Sequence, residues 1–201
     1  MYGKLFHSDN PIWIGMGRLF DIVELNLLWL LCSLPLFTAG PAAAALYTAM
    51  AALIRGEETY PHRDFFRAFR RRFRRNAAAG LLLATVGAFL WADVRIARQS
   101  GTGIFAFLMV FFFILLLFWL FMTIYAIPLL ALYDGSLKNT LILAFTLSIR
   151  RFPLTVALTA ITAVIFWICH LAPLFLVAAV GISAHVKLSM LLPLFREMRL
   201  L

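Results

Sequence analysis

Long unbroken apolar runs, separated by short polar clusters, dominate this chain. A membrane-crossing helix needs about 20 largely apolar residues, within a range of roughly 17–25. On that template the chain divides into six expected spans, at about 19–39, 42–57, 77–94, 103–133, 153–171 and 172–192. The first ends past Pro35, with a turn expected at Gly40-Pro41; the second is short and alanine-rich. The fourth would measure ~45 Å at 1.5 Å per residue, against a hydrocarbon core of ~30 Å, so it must tilt, project or kink at Pro128. The expected fold class is all-α: one integral membrane domain over residues 1–201, with about six spans.

Small residues mark where these spans can approach closely. Gly80, Ala84, Ala88 and Ala92 recur every four residues, as do Thr155, Thr159 and Ala163. Such spacing lets helix backbones meet where lipid supplies no hydrophobic drive. The alanine-rich second span is expected at the centre, and the phenylalanine-rich fourth in lipid.

Between spans lie two amphipathic segments, at about 62–75 and 136–150. At about 100° per residue, Phe65, Phe69, Phe73 and Phe66 fall within about 100° of one another, and the arginines cover the opposite arc. A helix so divided lies in the interface, phenylalanines among the headgroups. Each arginine near an anionic leaflet contributes about 1 kcal/mol. The expected contacts are therefore anionic headgroups, or a docking partner, through Arg63, Arg67, Arg70, Arg71 and Arg74 with Phe65, Phe66, Phe69 and Phe73. Nucleic acid is not expected, because the aromatic residues sit opposite most of the charge. In the second segment Leu137, Leu141, Phe145, Ile149 and Phe152 share one side, within about 120°. The order span, interfacial helix, span thus occurs twice, as in parallel repeats.

Composition agrees with a membrane location. Hydrophobic residues are 64% and charged residues 13%, with a mean hydropathy of +0.95, too little polar surface for a soluble domain of 201 residues. Charge adds orientation. The net charge is +9, and sixteen of eighteen basic residues fall in segments 1–18, 55–76, 134–152 and 187–201. Basic segments flanking spans stay inside, so both termini are expected to be cytoplasmic. No cleavable signal sequence is read in the first eighteen residues.

Chemistry-bearing groups are few. Cys32 and Cys169 stand alone in apolar runs and read as small hydrophobes. His7, His62, His170 and His185 lack metal-binding spacing, and no metal or cofactor site is expected. Glu57-Glu58 is followed at the decisive position by His62 rather than the arginine of paired-glutamate intramembrane proteases. Ser183 and His185 are two apart on a helix and do not face each other. No catalytic residue is assigned, and the chain is read as a non-enzyme. Ionisable groups inside spans are the remaining candidates: Glu24 and Asn26 in the first, His185 and Lys187 in the sixth. Matched depths along their helices suggest that Glu24 pairs with Lys187 or His185.

The run Asn26-Leu-Leu-Trp-Leu-Leu-Cys-Ser-Leu-Pro-Leu-Phe-Thr-Ala-Gly-Pro41, followed by Ala45-Leu-Tyr47, Arg55-Gly-Glu-Glu58 and Asp64-Phe-Phe66, resembles the YesL-type family of small bacterial membrane proteins. That family has no established biochemical activity, and its genes often lie near carbohydrate ABC transporters and polysaccharide-degrading enzymes. The resemblance implies a multi-pass protein of the bacterial cell membrane and an accessory role in carbohydrate uptake, with such a transporter as a partner. The alternative is a small-solute transporter or substrate-binding membrane subunit, with a polar site among the first, second and sixth spans.

Overall fold

The computed structural model describes residues 11–57, 60–99, 103–171 and 176–197. Among them there are eight α-helices and no strand: α1 (Pro11–Ser33), α2 (Ala39–Arg55), α3 (Pro61–Arg70), α4 (Phe73–Gln99), α5 (Gly103–Leu132), α6 (Leu137–Arg150), α7 (Phe152–Leu171) and α8 (Leu176–Glu197). The protein is an all-α membrane protein.

Local sequence sets the helix ends. α1 stops at Ser33, two residues before Pro35, where the residue preceding a proline is pushed out of the helical region. A short 3-10 turn, Leu36–Thr38, leads into α2. The turn expected at Gly40-Pro41 is therefore earlier, at Leu34-Pro35. Both Gly40 and Pro41 lie in the first turn of α2, where a proline forfeits only a bond the helix end lacks. With the 3-10 turn included, the expected short second span is a full-length segment, Leu36–Arg55. α2 ends on Gly56 at φ +71°, and Glu57 N–H reaches back to the Ala52 carbonyl at 3.2 Å, the Schellman closure. Pro61 opens α3. Ser136 caps α6, its Oγ accepting from the Asn139 N–H at 3.3 Å.

Among the described residues, Leu36–Arg55, Phe73–Gln99 and Gly103–Leu132 are long and apolar enough to cross a membrane. A fourth span arises if α6 and the first part of α7, bent by 100° at their junction, count as one broken span. That is fewer than the six expected. α1 fails because Arg18, Asp21 and Glu24 interrupt it. The expected boundary at residue 172 lies outside the described residues.

Helix α2 is the centre of the bundle: Ala42, Ala45, Leu46, Met50 and Ala51 are almost fully buried, and α1, α3, α4, α5 and α8 all pack on it. A second core joins the later part of α5 to α6, α7 and α8 through Tyr125, Leu129, Ala144, Leu147, Leu158, Leu191 and Phe195. At the 100° bend, Tyr125 Oη lies 3.0 Å from Thr155 Oγ1, which donates to the Ser148 or Arg151 carbonyl. Thr155 has one proton to give, so the phenol is the donor to Thr155. The first two-thirds of α5 is bare: Phe107, Phe111, Phe113 and Phe118 are exposed, as a lipid-facing helix requires.

Candidate functional site

The arginine-rich segment is not one helix. α3 ends at Arg70; Arg71 is extended and Arg72 is left-handed at φ +56°, before α4 begins at Phe73. A left-handed non-glycine residue costs about 1–2 kcal/mol. Asp134 holds the break, meeting Arg72 Nη1 at 3.0 Å and Arg71 Nη2 at 3.3 Å. Arg75, the third residue of α4, donates to the Gly135 and Leu130 carbonyls at 2.7 Å each and lies 3.4 Å from the Tyr133 carbonyl. Its guanidinium thus satisfies the bare carbonyls at the end of α5, which the planar fork suits better than an ammonium would.

The aromatic side of α3 faces protein rather than headgroups. Phe65 is 0% exposed and belongs to the α2 core. Phe69 and Phe73 are half-buried, with ring centroids 5.4 Å apart, and only Phe66 is exposed. The reason is proximity: α3 follows α2 after a tight glycine closure and folds straight back on it. Arg63, Arg67, Arg70 and Arg74 remain exposed, Arg63 stacked on Tyr60 at 5.1 Å and Arg67 3.8 Å from Asp64. In α6, the packed side runs through Thr140, Ala144 and Leu147, leaving Phe145 and Ile149 outward.

The intramembrane candidates separate. Glu24 Oε1 faces His62 Nδ1 at 3.3 Å, tying α1 to α3. This replaces the expected pairing: neither Lys187 nor His185 makes an ion pair with Glu24 among the described residues. Asn26, 0% exposed, accepts the Gly181 N–H at 3.0 Å. A Cβ on Gly181 would stand 2.9 Å from the Ile22 carbonyl, so glycine there permits the α1–α8 approach. His185 Nδ1 is buried and has no hydrogen-bond partner among the described residues.

Lys187 lines a cavity of about 390 Å³ between α1, α2, α5, α7 and α8. The walls include Trp29, Tyr47, Ile127, Thr162, His170, Ser183 and Lys187. Tyr47, Ser183 and Lys187 are 8%, 7% and 8% exposed, and among the described residues their side chains make no hydrogen bond or ion pair. The volume lies in the range of small-ligand sites, roughly 300–1,000 Å³, and so does the character, mostly apolar with a few polar groups. A second hollow of about 430 Å³ lies at the C-terminal ends of α2 and α8, between Ile54, Arg55, Ser189, Leu192, Pro193 and Arg196. Of the cavity, sequence reasoning found Lys187 alone. Tyr47 was the available signal, a lone phenol in an alanine-rich helix.

Residues 22–94 match the family model described as "Protein of unknown function, DUF624". The stretch covers the later part of α1 through most of α4, and so the Asn26 contact, α3 and the arginine break. The chain is 32% identical over 143 residues to the uncharacterized protein YesL of Bacillus subtilis (strain 168), covering 69% of this chain and 67% of YesL. It is 29% identical over 172 residues to the uncharacterized protein YteU of the same organism, covering 79% of this chain and 76% of YteU. No solved structure matches it. The residues first noted between Asn26 and Phe66 and the identity across two-thirds of both chains agree: this protein belongs to the YesL-type family.

Proposed function

We propose that this is a non-enzymatic protein of the bacterial cell membrane that binds a small solute inside its helical bundle, beside a carbohydrate uptake system. One observation carries the binding reading: the cavity of about 390 Å³ that buries Tyr47, Ser183 and Lys187, whose side chains have no partner among the described residues. A bundle packed solid at that point would have favoured a purely accessory role. The link to carbohydrate rests on the gene neighbourhoods of the family. A carbohydrate ABC transporter remains the partner of choice, with the exposed arginines of α3 on the cytoplasmic side against anionic headgroups or that partner.

The test is the thermal unfolding of the purified protein in lipid nanodiscs against a panel of neutral and acidic mono- and disaccharides. A ligand that binds only the folded chain raises the midpoint as its concentration passes Kd. At least one solute should do so, and filling the cavity with Ser183→Phe should abolish the response. If no solute moves the midpoint, the solute-binding reading fails.

A further inference from the structure

We infer that the solute is a small monocarboxylate, held with Lys187 as its counter-ion, and that it enters from the end of the bundle marked by Arg55 and Arg196. This deepens the solute-binding reading and rests on it. Lys187 sits about midway along α8, ~15 Å from either end at 1.5 Å per residue. A buried ammonium without a partner is costly, and ionisable groups inside membrane helices ordinarily pair. Among the described residues, no carboxylate lines the cavity around it. A carboxylate occupying the space would supply the negative charge that balances it.

Neighbouring groups narrow the chemistry. Ser183 lies one turn before Lys187, on the same side of α8, and Tyr47 lines the cavity from α2. One ammonium and two hydroxyls balance a single negative charge and bond its oxygens. A dianionic phosphate would call for a second fixed cation, and Lys187 is the one lysine or arginine among the described residues that line the cavity. The remaining walls, including Trp29, Leu46, Ile127 and Ile165, suit an apolar or ring-shaped body. The same two helices, α2 and α8, carry the second hollow, where Arg55 and Arg196 stand at their C-terminal ends. An anion arriving there passes Arg196, and Arg55 in its 3.5 Å pair with Glu57, before it reaches Lys187 about two or three turns deeper.

Both sugar acids and acyl carboxylates share this chemistry, so the experiment uses matched pairs: glucuronate against glucose, and octanoate against octanol. Each is titrated against the full chain in nanodiscs, reading the unfolding midpoint. At least one acid should raise the midpoint at concentrations ten-fold or more below its neutral mate; which acid does so identifies the source. Lys187→Met should erase the difference and Lys187→Arg should keep part of it. Replacing a buried unpaired charge by an apolar side chain of similar length is expected to preserve the fold. Should Lys187→Met not fold, the acid–neutral comparison in the wild-type chain still decides. Equal response to acid and neutral mates overturns the carboxylate assignment while the solute-binding reading stands. Response to no solute at all overturns both.

Discussion

Asn26 shows how one polar side chain fixes the approach of two helices. Its amide has no exposed surface, and its oxygen meets an α8 backbone donor at Gly181. Interhelical hydrogen bonds within membranes are worth about 0.6–1.7 kcal/mol. Asn26→Leu should therefore destabilise the chain by about 1 kcal/mol, read as a lower unfolding midpoint in nanodiscs, with Asn26→Gln intermediate. An unchanged midpoint would remove Asn26 from the account of this contact. That Asn26 and Lys187 matter was legible in the sequence, because polar groups in apolar runs need partners. Their partners were not. Counting residues along a helix gives depth but not rotation. Gly181 and Lys187 are six residues apart, so they point about 120° away from each other. α1 meets the Gly181 side, and Lys187 looks into the cavity. Glu24 found His62 because α3 folds back against α1, a contact that linear spacing does not encode.

At the level of elements, the α2–α4 crossing brings backbone directly against backbone. A Cβ on Gly80 would stand 2.6 Å from Gly40 Cα, and one on Gly40 would run into the Asn76 carbonyl. Neither neighbour is a movable side-chain tip. Gly40→Ala and Gly80→Ala should each cost about 1–3 kcal/mol through overpacking. Ala84→Leu, on the exposed side of α4, should stay within about 0.5 kcal/mol. A chemical or thermal unfolding series on the three variants separates these outcomes, and equal effects would contradict the crossing. The importance of Gly80 was legible in the sequence, but its companions were misread. A step of four residues turns about 40° beyond a full circle, so Gly80, Ala84, Ala88 and Ala92 spiral off any one side. The packed side steps by three, four and four, through Asn76, Ala79, Leu83 and Gly87. The break at Arg71-Arg72 was hidden for a related reason: arginine is an ordinary helix former, and the stop comes from Asp134, more than sixty residues away.

For the molecule as a whole, orientation is the property most exposed to test. From the arginine count, α3 and both termini are expected on the cytoplasmic side. With Cys32 and Cys169 replaced by serine, a cysteine in place of Arg70 should react with a membrane-impermeant maleimide only after the cells are opened. Labelling in intact cells would invert the topology. The helical character, the lipid-facing α5 and the central alanine-rich helix were all legible, since each follows from local composition. The number of spans was not, because charges in α1 and the 100° bend between α6 and α7 depend on what the helices find around them.

The Arg75 clamp has a consequence for how the chain is made. Arg75 sits at the beginning of α4, while the carbonyls it holds, from Leu130 to Gly135, come from the end of α5. During synthesis the guanidinium emerges first and must wait for some sixty further residues, among them nearly all of the most apolar helix in the protein. Until residue 135 has been made, the clamp has nothing to grip. Once it has, a single side chain closes the open end of the α4–α5 hairpin. The start of α4 and the end of α5 are therefore joined only after both helices have been made.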